Sequence, residues 1–139
     1  MRKSIYGLLI LVIQFFTVGM LEAQNLVGME KDDIMDEMNT RYKGFRLNTS
    51  AVNHVYKYLK YEDDINQITI LFFLSDDNKC TMVREMYDYS NINDVLKELN
   101  TSYKQDGKNH WSDSKNGKNY DIELTEGDWF FTVTIKPKE

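Results

Sequence analysis

The chain holds one cysteine and two histidines in 139 residues, and this scarcity removes several kinds of chemistry. Cys80 has no second cysteine with which to form an internal disulfide. It alternates with Met82 in a stretch that reads as a half-buried strand, where a thiol serves as a small hydrophobe. His54 and His110 lie at no zinc-ligand spacing from each other or from Cys80. Gly-x-Ser-x-Gly, a phosphate-cradling glycine loop and a Cys/His nucleophile arrangement are all missing. The chain has 17 basic against 22 acidic residues and no basic stripe. Nucleic acid and a polybasic membrane patch are therefore poor expectations, since phosphate neutralisation needs clustered Lys and Arg.

The acidic residues do not suggest a metal either. Asp32-Asp33, Glu62-Asp63-Asp64 and Asp76-Asp77 lack the alternating ligands, glycine and distal glutamate of a calcium loop. They fall at a helix start and in two turns, where a short carboxylate bonds the local backbone. No cofactor, metal or catalytic residue is implied, and the chain reads as a non-enzyme.

One long apolar run is present, at the N-terminus. Arg2 and Lys3 precede an apolar stretch from Gly7 to Met20, interrupted by Gln14 and Thr17 and followed by Leu21-Glu22-Ala23-Gln24. This is the order of a secretory signal peptide with cleavage after Ala23. The run falls short of the roughly 20 residues that span a bilayer, and no cysteine near the cut marks a lipoprotein. Residues 1–23 are thus expected to be the signal, and 24–139 a single α+β domain. Removing 23 of the 139 residues leaves 116, which is one domain's worth. Losing Arg2, Lys3 and Glu22 takes the net charge from −5 to −6. The expected location is secreted or periplasmic, without membrane insertion after cleavage.

The sequence also repeats itself. DDIMDEMNTRY at 32–42 returns as NDVLKELNTSY at 93–103, an offset of 61 residues. At the same offset Leu59 and Tyr61 meet Tyr120 and Ile122, and Ile68, Ile70, Phe72 and Leu74 meet Trp129, Phe131, Val133 and Ile135. These sets are expected to face inward. The apolar spacing predicts helices over 29–42 and 91–105, the second N-capped by Ser90 and ended by Gly107. Alternation predicts strands at 43–48, 53–62, 67–74, 80–88, 108–114, 118–125 and 128–136, with Asn116-Gly117 as a hairpin turn and Pro137 as a stop. Val55, Leu59 and Tyr61 should share one face of the 53–62 strand. The expected fold is two tandem αβββ(β) units, 28–88 and 89–139, forming one antiparallel sheet with both helices packed on one face.

If the helices cover one sheet face, the other carries an apolar strip. Tyr56, Tyr58, Leu71, Phe73 and Phe130 alternate away from the inward residues, flanked by Lys57, Lys60 and Thr132. Tyr and Phe are effective interface anchors, so the strip is the candidate binding surface. Coverage by loops or by a second copy in a homodimer is the competing reading.

The segment Gly28-Met29-Glu30-Lys31-Asp32-Asp33-Ile34 resembles the start of small exported bacterial domains of the BamE/BLIP-like (β-lactamase-inhibitor-protein-like) type. The tandem helix-plus-sheet arrangement is similar to the inhibitor family too. That resemblance implies a concave sheet that grips a protein partner. The family's second short helix and the inhibitor's paired cysteines are lacking, so no functional residue carries over. The expected function is an exported protein-binding module of unknown partner. The alternative is a small envelope enzyme or ligand carrier with a pocket between helices and sheet. Inward faces that read as almost purely apolar favour the module, because a pocket needs convergent polar groups.

Overall fold

The computed structural model describes residues 25–50 and 55–139. The expected signal segment and His54 lie outside the described residues. Helix α1 spans Lys31–Arg41 and is followed by strands β1 (Arg46–Leu47), β2 (Tyr58–Asp63), β3 (Ile68–Leu74) and β4 (Cys80–Asp88). A 3-10 turn at Tyr89–Asn91 leads into helix α2 (Ile92–Ser102), then β5 (Lys104–Gly107), β6 (His110–Lys115), β7 (Lys118–Glu126) and β8 (Phe130–Pro137). The fold is α+β. Eight strands form one sheet in the order β1-β2-β3-β4-β8-β7-β6-β5, with every pairing antiparallel. Among the described residues no helix is long and apolar enough to cross a membrane.

Both helices form where apolar residues recur at helical spacing. Ile34 and Met38 of α1 are buried, as are Val95 and Leu99 of α2. Asp32 and Asp33 occupy the first turn of α1, where negative charge suits the helix dipole. The two helices keep the 61-residue offset end to end. They join Leu59, Tyr61, Ile70, Phe72, Val83, Ile122, Phe131, Val133 and Ile135 in a single buried cluster. These strand residues align across the register: Tyr61 faces Ile70, Phe72 faces Val83, Val83 faces Ile135 and Ile135 faces Ile122. The cluster is therefore one continuous face of the sheet.

The turns follow local chemistry. Asn116 and Gly117 adopt φ of 52° and 75° between the paired Lys115 and Lys118, as a two-residue primed hairpin requires. Asp63 Oδ1 accepts from the backbone N–H groups of Ile65 (3.0 Å) and Asn66 (3.1 Å), the local role expected of the acidic pairs.

Several expectations need correction. Four strands follow the second helix, not three: α2 stops at Ser102, and residues 104–107 form β5, so Gly107 closes a strand rather than a helix. Ser90 does not cap α2. Asp88 caps the preceding 3-10 turn by accepting from the Ser90 N–H at 2.9 Å. Val55 lies outside β2 and is 79% exposed, so it does not share the face of Leu59 and Tyr61. Trp129 is 86% exposed in the β7–β8 turn and is not an inward residue. The inward faces are also not purely apolar, because Asp63 and Glu85 are buried there.

Candidate functional site

On the face opposite the buried cluster, strand alternation lays out Tyr58, Lys60 and Glu62 of β2, then Thr69, Leu71 and Phe73 of β3. Met82, Arg84 and Met86 of β4 come next, then Thr132 and Thr134 of β8. The register sets Tyr58 opposite Phe73, Phe73 opposite Met82, Leu71 opposite Arg84 and Arg84 opposite Thr134. Further along, Asp121 and Glu123 of β7 and His110 and Ser112 of β6 make this face polar. One face thus changes from apolar and aromatic at β2–β4 to charged at β6–β7.

The apolar end holds a groove of ≈970 Å³, lined by Val55, Tyr56, Lys57, Tyr58, Leu71, Phe73, Leu74, Asp76, Thr81, Met82 and Arg84. Phe73 sits at its centre. The Tyr56 ring meets it edge-on at 6.4 Å and the Tyr58 ring is tilted at 6.0 Å. The Arg84 guanidinium lies 5.8 Å from the Phe73 centroid, within cation–π range. Four of the five expected surface residues, Tyr56, Tyr58, Leu71 and Phe73, therefore line one groove. Tyr56 is 60% exposed and the other three are half-buried. Phe130 is 43% exposed but pairs with Asp88, far along β4 from Met82, and does not line the groove.

Met82 and Arg84 were missed from sequence. Both lie opposite Phe73 and Leu71, but a register shift beside Leu74 leaves the even-numbered Cys80 on the buried face, so alternation counted from Cys80 would have turned them inward. Of the two flanking lysines, Lys57 lines the groove while Lys60 pairs with Glu62 at 2.5 Å.

A second cluster lies in the core. Glu85 is buried between Ile70 and Val133 in the register, and its Oε2 accepts the Tyr87 hydroxyl proton at 2.7 Å. Burial pushes its carboxyl up to about 7, against an opposing effect of the Tyr87 hydrogen bond. The Tyr103 phenol is raised by burial first and by the charge of Glu85 second. No buried side-chain polar atom among the described residues lacks a hydrogen-bond partner. Glu85 is thus a satisfied core group.

His110 bonds Asp106 through Nδ1, and its Nε2 stands 3.4 Å from Asp121 Oδ1. The His110 hydrogen bond holds the Asp106 carboxyl below its ordinary range. No group of three ligand-type side chains among the described residues is arranged to hold a metal. Cys80 is buried, and burial pushes its thiol up to about 11, so it is a poor nucleophile. Comparison with family models, with curated proteins and with solved structures finds no match.

Proposed function

We propose that this protein is an exported, non-enzymatic module that captures a protein partner in the Tyr56–Tyr58–Phe73 groove. The observation that carries this reading is the groove itself. Three aromatic rings and two apolar side chains, Leu71 and Met82, line a groove at one end of a sheet whose other face is filled; Tyr56 is exposed and the other four are half-buried. Aromatic anchors of this kind supply large contact area at little entropic cost. In this reading α1 and α2 both cover the filled face, and each helix with its four strands is one of two tandem units. The shared 61-residue offset of the helices supports that organisation, as does a sheet order that runs out from β4 and β8 in both directions. The likeness to BamE/BLIP-like domains, and secretion to the envelope or beyond by residues 1–23, belong to the same proposal.

The test uses the full chain and a variant carrying Tyr56→Ser, Tyr58→Ser and Phe73→Ser. Each half-exposed change should cost about 0.5–1 kcal/mol, small against a domain stability of roughly 5–15 kcal/mol. The variant should remain folded by circular dichroism and lose capture of envelope proteins that the wild type retains. Size-exclusion chromatography separates this from self-association: a dimer dissociated by the same three changes would make a second copy the occupant. A folded variant with undiminished capture would place the binding surface elsewhere.

A further inference from the structure

We infer that the groove recognises an apolar side chain flanked by an Asp or Glu carboxylate on a protein segment, with Arg84 as the group that reads the charge. The inference rests on the groove being the binding surface and adds the chemistry of what enters it.

Arg84 is held in place but its charge is not neutralised. Its Nε donates to Thr134 Oγ1 at 3.4 Å, and its guanidinium rests on the Phe73 ring at 5.8 Å. These contacts fix the side chain across β4, β8 and β3. The ion pairs of the described residues engage Arg41, Arg46, Lys60, Lys79 and His110, and none involves Arg84 or Lys57. The terminal nitrogens of Arg84 have no hydrogen-bond partner among the described residues. A guanidinium has five N–H donors in a rigid fork that matches a carboxylate. Here the fork is half-buried in an apolar surround, where a charge-assisted hydrogen bond is stronger than in water.

The surroundings select the partner group. Aromatic rings on the Tyr56–Tyr58 side accept an apolar residue, and the fork on the β4 side accepts an anion. Lys57 adds a second positive charge to the lining, and Asp76 a single negative one. That balance favours a monoanionic carboxylate over a dianionic phosphate. A second copy of this chain is a weaker fit electrostatically, since its net charge is −5 with residues 1–23 and −6 without them, and association brings two like-charged bodies together.

The probe is an array of N-acetylated, C-amidated heptapeptides, in which a central Phe or Leu is flanked by Glu in one set and by Gln in its matched set. Blocked ends leave the side chain as the only variable carboxylate. Purified protein should bind the Glu set about tenfold to 100-fold more tightly than the Gln set. Arg84→Gln should abolish that preference and Arg84→Lys should keep part of it, both variants being verified as folded by circular dichroism. Tyr56→Ser should weaken binding to both sets. A Glu preference that survives Arg84→Gln overturns the role of Arg84. Equal binding of both sets that still depends on Tyr56 overturns the carboxylate inference and leaves the groove reading standing. Binding of neither set in a Tyr56-dependent way overturns both.

Discussion

Glu85→Gln should change the pH dependence of stability in a way that no surface carboxylate could. The ordinary glutamate value is 4.5 and burial takes Glu85 to about 7. Between these values the folded protein keeps a proton that the unfolded chain releases. Stability contributed by the neutral carboxyl is therefore fully present below about pH 4.5 and is lost as pH rises through about 7. A gap of about 2.5 pH units at 1.36 kcal/mol each is worth about 3 kcal/mol. Tyr87 and Tyr103 do not titrate in this window, since burial raises both phenols above their ordinary range. The amide of Glu85→Gln carries no charge but brings N–H donors that lack a built acceptor, a cost of about 1 kcal/mol. The two proteins should thus be about equally stable at pH 5, and the variant the more stable by about 2 kcal/mol at pH 8.5. Urea unfolding at half-unit steps from pH 5 to 8.5 measures both. Working above pH 5 keeps clear of the acid limb, where Asp63 loses stability as it protonates: burial opposes its ionisation, but bonds from Asn66 and Ile65 hold its carboxyl low. The difference between the two proteins isolates Glu85 from every group they share. A difference that stays constant across the range would refute a Glu85 carboxyl raised by burial.

Leu99→Ala and Met38→Ala remove matching buried side chains from α2 and α1, and each should lower unfolding free energy by ~2–5 kcal/mol in chemical denaturation; near-neutral results at both would show that the helices do not face the core. Cys80 should resist alkylation by iodoacetamide at pH 8 in the native protein and react at once in denaturant, because its thiol is buried and raised to about 11. If residues 1–23 act as a signal, intact mass of protein from the native host should place the N-terminus at Gln24 or within a few residues of it, and a full-length chain in the membrane fraction would contradict export.

Helix positions were legible because Ile34, Met35 and Met38, and Ile92, Val95, Leu96 and Leu99, recur at the i, i+3, i+4 spacing of a helix face, and most strands because β-prone runs alternate. The misses share a different cause: each depended on pairing with a neighbouring strand or on a turn's own geometry. Lys104–Gly107 contains no apolar residue and gives no period-2 signal, yet pairs with β6 through Gln105 and Trp111. Trp129 has the parity of Phe131, but the Gly127 N–H bonds the Phe130 carbonyl at 3.0 Å and closes the turn before the strand begins. A side chain at Gly127 would meet that carbonyl oxygen at 2.8 Å, so glycine is required there by close approach rather than by φ. Asp88 and Ser90 are both good caps, and only the backbone path decides which one is used. The groove was legible on β2 and β3, where aromatic residues stand out. On β4 the same face is written in Met and Arg, which resemble any solvated strand.

Arg84 and Glu85 show why adjacent charges in a sequence mislead. Read along the chain they look like a neutral pair. In β4 successive side chains project to opposite faces, so the two charges cannot meet even though they are neighbours. The guanidinium emerges in the groove beside Phe73 without a carboxylate, and the carboxylate enters the core beside Tyr87 without a cation. Had the segment been helical, the two would have sat on a common polar face and been screened by water. The strand instead isolates each charge, and each isolation has a distinct consequence. An unpaired buried carboxylate is tolerated only by keeping its proton, which ties stability to pH. An unpaired half-buried guanidinium instead leaves its charge facing the groove. It can be neutralised only from outside, by a group that another molecule brings to it.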